Sequence, residues 1–232
     1  MDFTMYDTLL QLPLFQGLCQ NDLTEIVGKV RLHFSKVKAG KRIITQGDSC
    51  DRLVFLIKGG LMSEMKDGQG LYVWNEYFGE PFVAEPYSLF GMRTDYTASY
   101  LTTSDADLFS IDKNYILPEL GKYPIFQLNY LNIISNRAQV FRHRLLSGNA
   151  HSLEQRMIHF FLCHSERPSG QKLLKIKMED FAWLLNDTRL SVSRALNELQ
   201  SKELLVLRRK EIEIPDMAAL VAYRERLLPE NK

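Results

Sequence analysis

The 232-residue sequence has few of the features typical of secreted, membrane-spanning or disulfide-stabilised proteins. Its three cysteines, Cys19, Cys50 and Cys163, lack the short spacings of a disulfide or zinc framework. No apolar run reaches the length needed to cross a bilayer. The N-terminus lacks a basic segment followed by an apolar one, which a secretory signal requires. The sequence therefore predicts a soluble, reduced, cytoplasmic protein.

Strong charge and clustered metal ligands are also missing. The formal net charge is only +1, so charge alone does not indicate a nucleic-acid partner. The five histidines are scattered, and the first 147 residues contain only His33 and His143. An enzyme built on a cupin-like barrel would need histidine and carboxylate ligands grouped on its strands. We therefore predict a protein that is not an enzyme and has no metal site.

The N-terminal half changes from a helical to a β pattern near residue 31. The first 30 residues favour short helices, with Asn21 or Asp22 as a helix cap. Between Leu32 and Ile111, short alternating runs are separated by turn residues at close intervals. This pattern of short strands and frequent turns is typical of a compact β sandwich or barrel.

A helical pattern with an apolar seam follows at about residues 125–146. Five apolar residues recur at heptad positions a and d, namely Leu131, Ile134, Ala138, Phe141 and Leu145. Such a seam favours pairing with a second copy of the chain. The alternative is a helix packed on its own barrel. Residues Ser147-Gly148-Asn149 then predict a hinge, and Ser152 the cap of a further helix to about Cys163.

The segment from Met178 to Leu205 has the pattern of a helix-turn-helix. Two amphipathic helices fit, at about 179–185 and 189–201. Ala182 is small where two helices approach closely, and Asn186 tolerates the left-handed conformation that the turn needs. Asp187 or Thr188 can cap the second helix.

Polar and basic residues of this segment predict contacts with DNA. Arginine in the first turn of a recognition helix can bind guanine, and hydroxyl side chains suit phosphates. The candidates on the second helix are Thr188, Arg189, Ser191 and Arg194. Predicted strands 204–207 and 211–214 flank Arg208, Arg209 and Lys210, a basic wing that can lie on the DNA backbone. The alternative is a pair of helices with a solvated basic turn.

Three barrel motifs give this sequence a family resemblance. They read Val37-Lys38-Ala39-Gly40, Ile44-Thr45-Gln46-Gly47-Asp48 and Leu53-Val54-Phe55-Leu56-Ile57-Lys58-Gly59. With the helix-turn-helix, they make the chain resemble the cyclic-AMP receptor protein / fumarate-nitrate regulator (CRP/FNR) family. The resemblance covers nearly the whole chain. Leu190 departs from it, because the family usually has an acidic residue there.

The resemblance implies an α+β fold. It has an N-terminal double-stranded β-helix (jelly-roll) barrel like that of cyclic-nucleotide-binding domains, a long dimerisation helix, and a C-terminal winged helix-turn-helix. The expected boundaries are residues 1–122 for the effector-sensing barrel with its N-terminal helices, 123–147 for the dimerisation helix and hinge, and 148–232 for the DNA-binding domain. The implied partners are a second copy of the chain, double-stranded DNA with a palindromic operator, RNA polymerase and a small-molecule effector.

The expected effector region departs from the cyclic-nucleotide pattern. Glu85 matches the family's ribose-binding carboxylate, but Tyr96 stands where the family has a phosphate-binding arginine. A buried phosphate without a cation is poorly compensated, so cyclic AMP is disfavoured. Glu85 could instead be a turn carboxylate. Candidate effector contacts are Glu85, Tyr87, Tyr96 and Thr97.

Other cofactors known in such regulators have little support. Two cysteines in the sensing half are too few for one subunit to hold an iron–sulfur cluster. Haem ligation by His33 has no supporting residue around it. The sequence therefore predicts a DNA-binding transcription regulator with an unidentified effector. The rival function is a cyclic-nucleotide-binding-like module that controls a partner protein without DNA.

Overall fold

The chain is divided into two compact units that interleave along the sequence. The computed structural model describes residues 5–146 and 152–226. Within these residues, the first unit consists of the chain up to Met62 together with Phe78–Ala138. The second unit consists of Ser63–Tyr77 and the chain from Gln139 onwards. No helix in the described ranges is long and apolar enough to cross a membrane.

The first unit contains two short N-terminal helices and an antiparallel β core. The helices are α1 (Met5–Gln11) and α2 (Gln20–Lys29). The strands that follow are β1 (Leu32–Val37), β2 (Arg42–Ile44), β3 (Arg52–Lys58), β4 (Gly60–Lys66), β5 (Tyr72–Gly79), β6 (Phe82–Ala84), β7 (Ser99–Thr102) and β8 (Ala106–Asp112). A short helix α3 (Lys113–Ile116) then leads to the long helix α4 (Pro124–Leu146). Three of these elements belong to this unit only in part, namely β4 with residues 60–62, β5 with residues 78–79 and α4 with residues 124–138.

The β core is closed around a set of aromatic side chains. One sheet has the order β1-β8-β3-β6, and β2 pairs with β7. Phe55 of β3 stacks on Phe109 of β8 with ring centroids 5.2 Å apart, and Phe15 meets Phe55 edge-on at 5.8 Å. At Gly59, between β3 and β4, φ is +100° and a Cβ would collide with the carbonyl of Asp105. Only glycine fits such a corner, so the barrel motifs predicted this turn correctly.

Helix α4 has one face packed on the first unit and a separate apolar face exposed. Phe126 is buried against Phe15, and Tyr130 Oη donates to the carbonyl of Pro86. The predicted seam lies on a different side of the helix. Its residues Leu131, Ala138, Phe141 and Leu145 are exposed, and Ile134 is half-buried. Leu145 keeps 77% of its surface exposed. Within the first unit, α4 therefore packs on the barrel through Phe126 and Tyr130, while Leu131 and Ala138 of the seam stay exposed.

The second unit contains the remaining elements of the chain. They are α5 (Leu153–His164), β9 (Lys172–Ile176), α6 (Met178–Leu184), α7 (Arg189–Ser201), β10 (Val206–Arg208), β11 (Glu211–Ile214) and α8 (Met217–Arg226). Its sheet has the order β10-β11-β9-β5 and is antiparallel throughout. Ser152 caps α5 through a reciprocal capping box with Gln155, as its position predicted.

Strand β5 supplies buried side chains to this unit as well as backbone pairing. Its residues 72–76 pair with residues 176–172 of β9. Trp74 stacks on Phe161 with centroids 6.0 Å apart. Glu76 and Lys172 form a buried ion pair at 3.0 Å, with exposed side-chain fractions of 2% and 0%. The hairpin segment 63–77 is therefore an integral part of the unit's core.

Glu76 also satisfies the backbone that follows α5. Its two carboxylate oxygens accept from the N–H groups of Glu166 and Arg167, at 2.6 and 2.8 Å. Lys172 Nζ donates in addition to the carbonyl of Ser169 at 2.6 Å. Every charge of this buried pair thus has a polar partner, which the interior of a protein requires.

His164, at the end of α5, makes this unit sensitive to acid. Its Nδ1 lies 2.7 Å from the carbonyl of Phe160 and its Nε2 lies 2.6 Å from Tyr72 Oη, so a neutral ring protonated at Nδ1 satisfies both. Burial lowers the pKa of His164 from its usual 6.5. Between the lowered pKa and 6.5 the unfolded chain binds more protons than the folded one. The stabilisation is therefore present above pH 6.5 and is lost as pH falls through the lowered value.

We expect the free energy of unfolding of the second unit to decrease on acidification below pH 6.5, and to do so less in His164→Gln. Both tryptophans of the chain, Trp74 and Trp183, lie in this unit, so urea titrations followed by tryptophan fluorescence report on it. His143→Gln, at an exposed position, is the control. An unchanged acid dependence in His164→Gln would assign the proton uptake to another group.

Three details differ from the sequence-based expectations. The cap of α2 is Cys19, not Asn21 or Asp22, because its sulfur accepts from the N–H of Asp22 while the Asp22 carboxylate accepts from Cys19. Strands β6 and β9 were not predicted, because both are short and neither shows a regular alternation of polar and apolar residues. The first helix of the helix-turn-helix spans 178–184 and not 179–185. The predicted hinge at 147–149 lies outside the described residues.

Candidate nucleic-acid interface

The turn between α6 and α7 has the geometry that its residues predicted. Asn186 adopts a left-handed conformation with φ of +49°. Ala182 is buried, and its carbonyl accepts from the N–H of Asp187 at 3.0 Å. Phe181 on α6 and Leu196 on α7 are completely buried in the shared core. The two helices are thus held at a fixed angle by packing and by the turn.

The first turn of α7 is anchored by a cap and an ion pair. Thr188 Oγ1 accepts from the N–H of Ser191 at 3.1 Å, which makes Thr188 the cap. Asp187 accepts from the N–H of Thr188 at 2.8 Å and pairs with Arg156 of α5. The N–H of Thr188, with Ser191 and Arg156, holds the pKa of Asp187 below its usual range. The start of α7 is therefore fixed to α5 at neutral pH.

The outer face of α7 carries the residues predicted to contact DNA. Val192, Ala195, Leu196 and Leu199 are buried and define its inner face. Arg194 points away from that face and is exposed, while Ser191 lies at the side and is half-buried. Arg189 is 70% exposed, and its Nη1 lies 3.2 Å from Glu179 Oε1. An exposed ion pair of this kind is weak, so Arg189 can exchange Glu179 for another anion.

The wing lies on the same side of the unit as the start of α7. Arg208 ends β10, and Arg209 and Lys210 form the turn before β11. All three are exposed, and Lys210 has φ of +60°. Arg208 pairs with Glu213 at 2.8 Å. One pocket of about 300 Å³ is lined by Arg189, Arg208 and Lys210 together. The structure therefore brings Arg189 of the helix together with Arg208 and Lys210 of the wing.

The predicted effector residue Glu85 is enclosed by its own barrel. Its carboxylate is 2% exposed and accepts from the N–H groups of Thr97 at 2.8 Å and Ala98 at 3.0 Å. Ser88 Oγ donates to the same carboxylate at 2.9 Å. Burial raises the pKa of Glu85, against the lowering effect of these donors. This arrangement resembles an internal structural carboxylate more than an open ligand contact.

The other candidate effector residues surround Glu85 at different depths. Tyr96 is buried, and its hydroxyl donates to the carbonyl of Arg52 at 3.0 Å. The side chain of Thr97 is exposed, and Tyr87 is half-buried beneath Arg137, whose guanidinium carbon lies 4.7 Å from the ring centroid. Tyr87 and Arg137 form a basic and aromatic patch that the sequence did not predict, because 50 residues separate them in the chain.

Potential metal ligands do not converge in the described part of the chain. No group of three or more histidine, cysteine, aspartate or glutamate side chains there could hold an ion. His33 lies at the barrel surface, 3.5 Å from Asp112, and not in its interior. Cys50 is buried, which raises the pKa of its thiol.

Comparison with known proteins agrees with this geometry. A family model described as a Crp-like helix-turn-helix domain matches residues 155–223. The global nitrogen regulator of Synechococcus elongatus is 25% identical over 201 residues, which are 83% of this chain and 90% of that protein. The crystal structure of the Thermus thermophilus catabolite activator protein is 21% identical with a TM-score of 0.50, and covers 94% of this chain and 100% of its own.

A further solved structure, of a Crp/Fnr-family regulator from Eubacterium rectale, is 19% identical with a TM-score of 0.54 and covers 93% of this chain and 99% of its own. At these identities the structural likeness concerns the fold. The class defined by this fold and interface is that of helix-turn-helix transcription regulators, and not of enzymes. Within that class, residues 155–223 match the Crp-like helix-turn-helix domain, and the described fold is similar to those of CRP/FNR-type regulators.

Proposed function

We propose that the chain acts as a homodimer that reads a palindromic operator through α7, under the control of its N-terminal unit. The observation that carries this proposal is the surface pocket that Arg189 of α7 lines together with Arg208 and Lys210 of the wing. A recognition helix in the major groove contacts base edges with its N-terminal residues, while a wing contacts the backbone. In a dimer, two such helices would lie about one helical turn apart on the duplex.

The test of DNA reading is a titration at physiological salt with bulk DNA as competitor. A duplex selected from a random library by the full chain should bind more tightly than bulk DNA by several orders of magnitude, about 10³ or more. Binding with no preference over bulk DNA would favour the rival function, a module that acts on a partner protein without DNA.

Arg189→Ala is expected to weaken binding to the selected duplex by about 1–3 kcal/mol and to relax the preference at one base pair per half-site. Arginine in this position can donate two hydrogen bonds to guanine, which alanine cannot replace. Arg31→Ala, an exposed arginine in the N-terminal unit, should leave binding unchanged. An equal loss on every duplex sequence would make Arg189 a phosphate contact and not a base contact.

The proposed control site is the neighbourhood of Glu85, with Tyr87, Tyr96 and Thr97. A cyclic nucleotide is a poor fit, because Glu85 already accepts from the N–H groups of Thr97 and Ala98, and Tyr96 stands where the family has its phosphate-binding arginine. The effector is therefore expected to be of another chemical class. Native mass spectrometry of the purified dimer tests this, together with a cyclic AMP titration that should leave DNA affinity unaltered.

RNA polymerase is the proposed protein partner of the DNA-bound dimer. Support comes only from the match of residues 155–223 to a Crp-like helix-turn-helix domain. Transcription from a template that carries the selected duplex, with and without the protein, would show whether the polymerase responds and in which direction.

A further inference from the structure

The second residue of the recognition helix, Leu190, is a large apolar side chain exposed to solvent. It retains 61% of its surface, although the same helix buries four apolar residues elsewhere. Leu190 does not take part in the core of the unit, so packing does not explain why leucine occupies this position. A surface leucine by itself is ordinary. Its position on the recognition helix is what points to a role in contacting DNA.

Leu190 lies at the centre of the outward face. Successive residues of a helix are rotated by about 100°. The buried residues Val192, Ala195, Leu196 and Leu199 together define the inward direction, and Leu190 falls opposite to it. Arg194, four residues later, lies on the same outward face and one turn further along.

Arg189 occupies a flank of this face. It is rotated by about 100° from Leu190, towards α6, where it meets Glu179. A helix that enters the groove with Arg194 towards the bases therefore presents Leu190 to the bases in its first turn. Arg189 then lies at the side of the groove nearest α6.

The chemistry of leucine restricts what it can read. It offers no hydrogen bond, so a donor or acceptor on a base edge beneath it would lose water without compensation. Only thymine presents an apolar group in the major groove, its C5 methyl. We propose that Leu190 reads a thymine methyl in each half-site. This inference rests on the proposed DNA-binding function and names a determinant of its specificity.

The test begins with parallel selections from one random duplex library. The full chain, Leu190→Ala and Leu190→Glu are used at the same salt concentration. We expect the wild-type protein to enrich a thymine in each half-site. Leu190→Ala should lose that preference while keeping the rest of the sequence. Leu190→Glu should replace it with cytosine, whose N4 amino group donates to a carboxylate.

The decisive measurement removes only the methyl group. In the duplex that the wild-type protein selects, deoxyuridine replaces the enriched thymine of one half-site. Loss of one buried methyl is worth about 0.8 kcal/mol, so the wild-type affinity should fall about fourfold. Leu190→Ala should bind both duplexes equally. Deoxyuridine at thymines outside the half-sites is the matched control. Since Leu190 is exposed, the variants are expected to fold, which circular dichroism verifies.

The possible outcomes distinguish this inference from the proposed DNA-binding function on which it rests. If the wild-type chain enriches no sequence, the DNA-reading function itself is wrong. If it enriches a palindrome but deoxyuridine has no effect on affinity, Leu190 does not contact a thymine methyl, and the proposed DNA-reading function still stands. An equal deoxyuridine penalty in wild type and Leu190→Ala also overturns the proposal, because another residue then makes the contact.

Discussion

Leu131→Glu is expected to convert the proposed dimer into monomers. Leu131 is 61% exposed and begins the apolar stripe on α4 that continues through the exposed Phe141 and Leu145. Each copy would lose a buried leucine, worth about 1.5–3 kcal/mol, and the two carboxylates would face each other in an apolar seam. The dissociation constant should rise by about two to four orders of magnitude.

Asn136→Glu is the matched control, because Asn136 is exposed on the same helix outside the heptad seam. Light scattering and analytical ultracentrifugation give the mass of each variant, and circular dichroism gives its fold. Leu131→Glu should also lose most of its operator affinity, since one recognition helix then binds alone. A Leu131→Glu protein that stays dimeric would move the interface away from this stripe.

Glu76→Gln is expected to be strongly destabilising. It leaves the ammonium of Lys172, which is fully buried, without its countercharge. Breaking a buried pair by removing one partner costs about 3–5 kcal/mol. Burial already lowers the pKa of Lys172 from its usual value, which shows how little the surroundings favour an unpaired charge. Urea unfolding followed by tryptophan fluorescence measures the loss in the unit that contains this pair.

The double variant Glu76→Gln with Lys172→Met separates charge burial from loss of packing. Glutamine keeps only one acceptor oxygen for the N–H groups of Glu166 and Arg167, but this loss is the same in the single and the double variant, and methionine fills the lysine stem's volume without a charge. The double variant should therefore recover much of the stability lost in Glu76→Gln. Glu119→Gln, at a surface pair with Lys122, is the control and should cost at most about 1 kcal/mol. A double variant less stable than Glu76→Gln would mean that hydrogen bonds, and not charge, dominate this site.

The parts of the molecule that were predicted from the sequence are those with local causes. The turn before α7 needs a left-handed residue and a cap within a few positions, and Asn186 and Thr188 supply both. The corner at Gly59 needs a residue without Cβ, whatever the distant sequence. A 23-residue helix with a heptad repeat is also visible from its period alone.

The parts that escaped prediction depend on residues far apart in the chain. Arg156 holds Asp187 across 31 positions, and Glu76 meets Lys172 across 96. No periodicity connects such pairs. The seclusion of Glu85 has the same origin, because its donors at Thr97 and Ala98 approach only when the barrel closes. A family match for the carboxylate position therefore did not reveal that the carboxylate is already fully engaged.

The interleaved path of the chain has a practical consequence for making hybrid regulators. A C-terminal segment that starts after α4 carries the helix-turn-helix and the wing, but not residues 63–77, which supply the fourth strand of its sheet and the partner of Lys172. Transplanted alone onto another sensor, that segment would present an open edge at β9 and an uncompensated buried lysine. To exchange DNA specificity between relatives, both the hairpin segment 63–77 and the C-terminal segment must therefore be transferred from the same parent protein.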